Sequence, residues 1–282
     1  MKLDAVWTQE LPEQIPQKDK ESVENLLEML DFCDENEIKN YLDEDALYEN
    51  NEFCDWIYSK TDRDMNDMKR ELMKKTSRYA HLTQEQQKEY LQTIGKSEEN
   101  KRFGVDFREE EEFYAASKMK LYQIARRYLK KEKRSDFVQD ISFCFPDIYF
   151  DTSVDASMHT LNRRFEDIRE EIVEHLTALD SYRKQFLKST KENRGYREIA
   201  DAFQEYSKID CSPQANRKNV KELKREFENT ISHTVESVNC ELHTKFNKFN
   251  TDRTKQDRIY FAPAKEGIQD GKVIVIHIGK HL

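Results

Sequence analysis

Glycine and proline are scarce in this chain of 282 residues, with 6 and 5 copies. Few residues therefore break helices, and the common Glu, Lys, Leu and Gln favour them. We expect long helices joined by short connections. Aromatic residues are plentiful, with 16 Phe, 13 Tyr and 2 Trp. They can anchor hydrophobic cores, so most of the chain is expected to fold.

Long hydrophobic runs are also missing. A stretch such as Val273 to Ile276 is far shorter than the roughly 20 residues that span a bilayer. The first residues carry no secretory signal, and the cysteines are odd in number, widely spaced and never in a CxxC pair. We expect free thiols in a reducing compartment, a cytoplasmic protein, no membrane contact and no zinc site.

Common catalytic signatures are absent as well. The sequence contains no P-loop, GxGxxG, GxSxG, HExxH or EF-hand pattern. ATP use, dinucleotide chemistry and serine hydrolysis are therefore not predicted, and neither a cofactor nor a metal is expected.

The net charge of −9 is unevenly spread. Residues 1–60 hold 17 acidic and 5 basic side chains, whereas residues 211–282 hold 13 basic and 9 acidic ones. A basic tail suits an anionic partner, and the acidic head could cover a basic surface of this chain or of a partner. Both segments could equally be ordinary solvated faces.

The patterns predict a mainly α protein with a small α+β C-terminal module, built from long amphipathic helices and a short antiparallel sheet of about three strands. Residues 1–20 are expected to be an irregular leader. Ser22 and Thr83 are expected to cap helices, with Gln86 completing a capping box. Acids at the start and bases at the end predict a helix over 108–134.

Further predictions concern the middle of the chain. Residues 141–150 are expected to be extended around Pro146. A long amphipathic helix is predicted over 154–189, another over 196–208, and a third starting at Ser212 and Pro213. The stripe of the long helix recurs at spacings of three and four, apart from its last gap: Val154, Met158, Leu161, Phe165, Ile168, Ile172, Leu176, Leu179 and Phe186.

Three regions result from this reading. They are an acidic helical N-terminal region (1–135), a strand segment with the long helix (136–210), and a basic C-terminal α+β module (211–282). In the module, 231–246, 259–261 and 272–278 favour strands, with a turn at Asp270 and Gly271.

Strand alternation indicates a candidate site in this module. Val273, Val275 and His277 should share one face of the last strand, and the alternating isoleucines should share the core face. If the register allows, four side chains converge on the wet face: Arg258, Tyr260, His277 and His281. Lys245, Lys272, Lys280 and His243 are near in sequence.

Such a cluster suits phosphate chemistry without a metal. Arg258 and the lysines, Lys245, Lys272 and Lys280, would bind phosphate. His277 or His281 would act as general acid or base, and Tyr260 would orient the nucleophile. The alternative is that the cations are solvated and the histidines cap a strand end.

The segments 257–261 and 272–282 resemble the terminal strands of the RelE/ParE-type toxin superfamily. That resemblance covers about 70 residues and implies an antiparallel sheet with a basic face, with messenger-RNA cleavage in one branch and gyrase inhibition in the other. The tail is also similar to the ends of bacterial proteins associated with phage-defence gene clusters. In those proteins, a strand containing Phe-Pro, here Phe145-Pro146, precedes a long helix.

Two hypotheses follow. The first is a component of a prokaryotic antiviral-defence or toxin-type system whose C-terminal module faces RNA or DNA, in one form a metal-independent nuclease. The second is a non-enzymatic helical interaction subunit or inhibitor within a multi-protein defence or anti-defence complex. Its protein partner would bind the 154–189 helix or the acidic N-terminal region.

Overall fold

The computed structural model describes residues 1–96, 100–108, 110–214, 223–247 and 255–282. It divides into two compact units, residues 1–131 and 132–282. The fold is α/β, so the prediction of a mainly α protein with a small C-terminal sheet is wrong. Strands are spread along the chain, and each unit has a five-stranded sheet of its own.

The first unit contains a parallel sheet. Its strands are β1 (Asp4–Trp7), β2 (Lys39–Asp43), β3 (Ala80–Leu82), β4 (Arg102–Val105) and β5 (Tyr114–Ala115). Their spatial order is β3-β2-β1-β4-β5. The helices of this unit are α1 (Leu11–Gln14), α2 (Lys20–Glu35), α3 (Glu44–Tyr48), α4 (Asn51–Tyr58), α5 (Arg63–Thr76), α6 (Gln84–Gln92) and α7 (Lys118–Leu129).

The predicted irregular leader is wrong, because residues 4–7 form β1, the central strand of the parallel sheet, and α1 follows at residues 11–14. Ala5, Val6 and Trp7 are all buried, as expected for a strand that is covered on both faces. A strand of four residues without alternating polarity gives almost no sequence signal. The acidic character of residues 1–60 comes from the helix surfaces and connections around this strand.

Local signals predicted some helix ends and missed others. The capping box of Thr83 and Gln86 is confirmed. Asp19, rather than Ser22, caps α2, and its side chain accepts a hydrogen bond from the Ser22 amide. The helix predicted over 108–134 is wrong: β5 lies inside this range, and the helix begins only at Lys118. Glu109 lies outside the described residues.

The second unit contains a mixed sheet of order β6-β12-β11-β10-β7 and a separate hairpin, β8–β9. The strands are β6 (Ile148–Phe150), β7 (Cys211–Pro213), β8 (Lys224–Asn229), β9 (Thr234–Asn239), β10 (Leu242–Lys245), β11 (Arg258–Ala262) and β12 (Val273–Gly279). The predicted antiparallel pairing of the last strands is confirmed. The two edge strands were not predicted as part of this sheet: β6, predicted only as an extended segment, pairs with β12 in parallel, and β7, which was missed, pairs with β10 at the other edge.

The helices of the second unit are α8 (Arg134–Cys144), α9 (Ser153–Met158), α10 (Phe165–Ser181), α11 (Arg183–Lys191) and α12 (Tyr196–Ser207). The helix predicted over 196–208 is confirmed. The extended segment is correct only for β6, since residues 141–144 end α8. Ser212 and Pro213 lie in β7 and do not start a helix. Residues 215–222, where the predicted helix would continue, lie outside the described residues.

The single helix predicted over 154–189 is three helices. The chain leaves the helical path between His159 and Arg164, and it breaks again at Tyr182. The apolar stripe nevertheless stays buried, apart from the half-buried Leu161. Its end packs on the mixed sheet, where the rings of Phe186 and Phe261 lie 5.7 Å apart. The stripe therefore offers no continuous exposed apolar surface.

A β-bulge upsets the predicted alternation on β12. Tyr260 pairs with His277, but Phe261 pairs with Val275, so Ile276 is an extra residue on β12. Ile274 and Ile276 consequently pack in the same cluster as Tyr260 and Ala262. The assignment of Val273 and Val275 to a wet face is wrong, because both faces of this strand are covered and both valines are fully buried.

Candidate functional site

A row of polar side chains crosses four strands of the mixed sheet. Ser212, His243, Tyr260 and His277 are successive cross-strand partners on β7, β10, β11 and β12. Residues directly opposite each other in antiparallel strands share one face and lie in contact distance. The pairing therefore brings Tyr260 and His277 together as the sequence predicted, and it adds Ser212 and His243.

Arg258 lies on the same face, two residues before Tyr260 on β11. Its Nη1 donates to His243 Nε2 at 3.2 Å and to the Tyr260 hydroxyl at 3.4 Å. The side chain is only 8% exposed. Within the described part of the chain, no carboxylate contacts this guanidinium, and its buried Nε has no hydrogen-bond partner. A buried cation without a counter-ion is costly, so this arrangement favours an external anion.

His243 is held in one tautomer by its neighbours. Arginine can only donate, so the Nε2 atom facing Arg258 must be the acceptor. Nδ1 then carries the proton and donates to the Glu241 carbonyl at 3.4 Å. Burial, together with the charge of Arg258, lowers the pKa of His243 to about 3. The imidazole is therefore neutral at physiological pH.

The Tyr260 hydroxyl connects the site to the last residues of the chain. It donates to the side-chain oxygen of Gln214 at 3.4 Å and accepts from the Leu282 amide at 3.3 Å. Gln214 also donates to the Leu282 carbonyl at 3.3 Å. Tyr260 is fully buried, so its phenol holds Arg258 and the tail in place but is not open to solvent.

The two histidines predicted as acid or base differ in their surroundings. His277 is buried, and its Nε2 donates to the Lys280 carbonyl at 2.8 Å, which closes the turn after β12. Burial lowers its pKa. His281 is exposed. Partial burial and the charge of Arg258 lower the pKa of His281. The His281 side chain is therefore close enough to interact electrostatically with the guanidinium.

The three lysines predicted to bind phosphate lie at different places. Lys245 is the cross-strand partner of Arg258, but its ammonium pairs with Asp210 at 2.9 Å. Lys280 is exposed beside His281. Lys272 precedes β12 and lies five residues from His277, roughly 17 Å along an extended strand. The structure therefore does not bring Lys272 to the cluster.

The cluster has a buried end and an open rim. Arg258, His243 and Tyr260 form the buried end, whereas Ser212 and Gln214 are partly exposed and His281 is exposed. Among the residues that the structure describes, no group of three or more His, Cys, Asp or Glu side chains is placed to hold a metal ion. The chemistry available here is that of one guanidinium with neutral hydrogen-bonding neighbours.

Sequence reasoning missed Ser212 and Gln214, and it gave His243 no role. Ser212 was interpreted as a helix cap because Ser-Pro commonly starts a helix. Nothing local to residues 211–213 indicates a strand, since β7 is three residues long and, among the described strands, pairs with β10. His243 had one usable signal, its place two residues before Lys245 on a predicted strand, which puts both on one face.

Comparisons of the chain with protein-family models, with curated proteins and with solved structures found no match. Separately, no helix within the described ranges is both long and apolar enough to cross a membrane.

Proposed function

We propose that the C-terminal unit binds a phosphate group of single-stranded RNA at Arg258. The observation that carries this proposal is the buried guanidinium that no carboxylate contacts in the described part of the chain. A planar guanidinium matches the geometry of a phosphate and stays charged at any physiological pH.

The neighbours of Arg258 suit a phosphate ester better than a carboxylate side chain of a folded protein. Gln214, Ser212 and the exposed His281 surround the rim and can donate hydrogen bonds to phosphate oxygens. The basic character of residues 211–282 would attract a polyanion over a longer range. These features support a nucleic acid as the source of the phosphate.

The depth of the site favours a single strand. A duplex presents its phosphates to exposed Lys and Arg side chains on a surface. Arg258 is instead buried behind partly exposed residues of the rim. A phosphate must therefore protrude from the rest of the ligand to contact the guanidinium. A flexible single strand can do this, and RNA is commonly recognised in that form.

Cleavage is a second candidate function, and the position of His281 favours it. His281 is the exposed imidazole of the cluster, whereas His277 holds a backbone carbonyl and His243 is a very weak base. A proton-transfer group must be reachable by the substrate. His281 is therefore the residue that would act as general base in a metal-independent ribonuclease.

The biological setting remains the one that the sequence predicts, a prokaryotic antiviral-defence or toxin-type system with a RelE/ParE-like module. The alternative of a non-enzymatic subunit of a defence or anti-defence complex now depends on the acidic N-terminal region. The stripe of residues 154–189 is mostly buried within the second unit and supplies no continuous apolar face for a partner.

Fluorescence anisotropy with a labelled single-stranded oligoribonucleotide tests the proposal on the full chain. Arg258→Ala should weaken binding by roughly tenfold or more, because a hydrogen-bonded charge pair contributes about 1.5–3 kcal/mol. Arg197→Ala is the matched control, since Arg197 is an exposed residue of the same unit that pairs with Asp201. Equal affinity in the two variants would refute the proposal.

The same samples test cleavage. Incubation with the oligoribonucleotide in excess chelator should give products only if the protein is a metal-independent nuclease. In that case His281→Ala should lose product formation, with a much smaller loss of affinity than Arg258→Ala, because Arg258 still holds the phosphate. Binding without products at any pH between 5 and 9 would leave a binding module and remove the nuclease.

A further inference from the structure

The hairpin of β8 and β9 is separate from both five-stranded sheets. Among the strands that the structure describes, these two pair only with each other. Each is therefore an edge strand, with one row of backbone groups that its partner does not use. One face of the hairpin packs on the mixed sheet through Phe227 and Val238, and the other face is exposed to solvent.

The hydrogen-bonding register identifies the backbone groups that point outward from β9. Leu223 and Cys240 continue the pairing of the hairpin by one position, and the Cys240 amide donates to the Leu223 carbonyl at 2.8 Å. Hydrogen-bonded and non-hydrogen-bonded pairs alternate along an antiparallel ladder. Counted from this pair, Val235 and Ser237 belong to non-hydrogen-bonded pairs. Their N–H and C=O groups therefore point away from β8.

A contact at the end of β9 supports this assignment. The Tyr196 hydroxyl donates to the carbonyl of Asn239, at 2.9 Å. Asn239 lies two residues after Ser237, so its carbonyl points to the same side of the strand. Within the described part of the chain, no hydrogen bond engages the outward N–H and C=O groups of Val235 and Ser237. The Val235 side chain is 70% exposed, so this part of the hairpin is open to solvent.

The two edges of the hairpin differ in their protection. Proteins usually guard an edge strand with charged side chains, proline or a bulge, because its free backbone groups can pair with another chain. β8 follows this rule, since Lys224, Glu226 and Glu228 are exposed along it. The side chains that β9 exposes beside its outward backbone groups are those of Val235 and Ser237, and neither is charged. Only β9 therefore offers an unguarded edge.

We propose that β9 pairs with β9 of a second copy of this chain, antiparallel across a twofold axis at Glu236. In this register Val235 of each copy lies opposite Ser237 of the other, and all their outward backbone groups form hydrogen bonds. Glu236 meets its own copy at the axis, but its carboxylate already contacts Lys265 and Asn229. Its charge is therefore compensated.

Charge selects a second copy at β9 and excludes it at β8. A twofold axis brings the same residues of both copies together, so like charges along a self-paired edge repel each other. The uncharged edge of β9 is complementary to itself, whereas self-pairing of β8 would place Glu226 and Glu228 near their own copies. This inference does not depend on phosphate binding at Arg258.

Sedimentation velocity of the full chain without nucleic acid tests the proposal and should show a monomer–dimer equilibrium between about 1 and 300 µM. Val235→Lys should weaken dimerisation by about tenfold or more, because a charge on an edge strand opposes pairing. Glu228→Lys is the matched control, since Glu228 is the cross-strand partner of Val235 on the guarded edge. It should leave the dimer dissociation constant unchanged.

A second pair of variants tests the backbone contact itself. Ser237→Pro removes an outward N–H but no hydrogen bond to β8, and Glu226→Pro does the same at the residue directly opposite. Only Ser237→Pro should weaken dimerisation. In the unmodified chain, the amides of Val235 and Ser237 should exchange hydrogen more slowly as protein concentration rises.

Three results would overturn the proposal. The first is a chain that stays monomeric up to about 300 µM. The second is an equal dimer dissociation constant in Val235→Lys and Glu228→Lys. The third is a series of species larger than a dimer, because a contact between two different edges does not close on itself.

Discussion

Replacing Arg258 with methionine should make the second unit more stable, although it removes the proposed phosphate site. Burying a guanidinium without a counter-ion costs several kcal/mol. In return, the described structure gives Arg258 two long hydrogen bonds, at 3.2 and 3.4 Å, to His243 and Tyr260. Such bonds contribute at most about 1.5–3 kcal/mol each and less at these distances.

The side chains that accept hydrogen bonds from Arg258 keep other hydrogen-bond partners after this substitution. His243 Nε2 keeps the Ser212 hydroxyl at 3.3 Å, and the Tyr260 hydroxyl keeps Gln214 and the Leu282 amide. Methionine fills a similar length of side chain without a charge. We therefore expect Arg258→Met to raise the free energy of unfolding by about 1 kcal/mol.

Arg163→Met is the contrasting variant in the same unit. Arg163 pairs at 3.1 Å with Glu171, whose side chain is 4% exposed. Removing one member of a buried ion pair leaves the other uncompensated and costs about 3–5 kcal/mol. The two arginines should therefore respond in opposite directions to the same substitution.

The assay must report on the second unit. Both tryptophans, Trp7 and Trp56, lie in the first unit, so tryptophan fluorescence does not follow the relevant transition. Amide hydrogen exchange of the peptides that contain β10, β11 and β12 gives the local free energy of opening. A loss of about 3 kcal/mol in Arg258→Met, like that expected for Arg163→Met, would refute the reasoning, since it would show that the charge is compensated within the protein.

Two further predictions concern a buried hydrogen bond and a buried histidine. Thr8→Val should lower the free energy of unfolding of the first unit by about 2 kcal/mol, because the buried Asp106 carboxylate loses a short hydrogen bond; an unchanged urea midpoint by tryptophan fluorescence would contradict this. The pKa of His243 is about 3 in the folded chain and near 6.5 when unfolded, so the unfolded chain binds the extra proton and stability falls as pH drops from about 6.5 towards 3. At pH 5 this loss of unfolding free energy is about 2 kcal/mol. His243→Gln should flatten the dependence of stability on pH. Arg258, Lys245 and His281 remain in the variant as the charged or titratable groups that face position 243. A urea midpoint followed by circular dichroism at pH 7 and pH 5 measures the difference, and equal slopes in both proteins would count against it.

How much the sequence could predict depends on the range of the interactions that fix each element. The capping box at Thr83 and the helix over 196–207 depend on neighbours within a few residues, and both are confirmed. The central strand β1 depends on pairing with β2 and β4, 35 and 98 residues away. Three apolar residues after an aspartate are compatible with many structures until those partners are in place.

The apolar stripe of residues 154–186 shows that a clear local pattern also has limits, because it predicts burial but not where a helix ends. Nearly all of the residues that the periodicity selects are buried, with the half-buried Leu161 as the exception. The periodicity does not report the break after His159, where the Thr160 hydroxyl donates to the Ser157 carbonyl at 2.7 Å and the chain turns. Ser157 in turn donates to the Ile278 carbonyl at 3.3 Å on β12. The end of this helix is therefore held by a hydrogen bond from Ser157 to β12, a strand more than a hundred residues later in the sequence.

The candidate site was predictable to the extent that cross-strand pairing keeps alternation. Arg258 and Tyr260 share a face because they lie two residues apart on β11, and His277 joins them through its pairing with Tyr260. Past Tyr260, the extra residue at Ile276 changes the pairing between β11 and β12. The next side chains on this face, Ala262 and Ile274, are apolar and pack in one hydrophobic cluster. The bulge therefore marks the boundary between the apolar part of this face and the part that holds Arg258, which no carboxylate contacts among the residues that the structure describes. A folding requirement alone would place an apolar side chain on both sides of that boundary. The polar side chains next to it are consistent with selection for binding an anion.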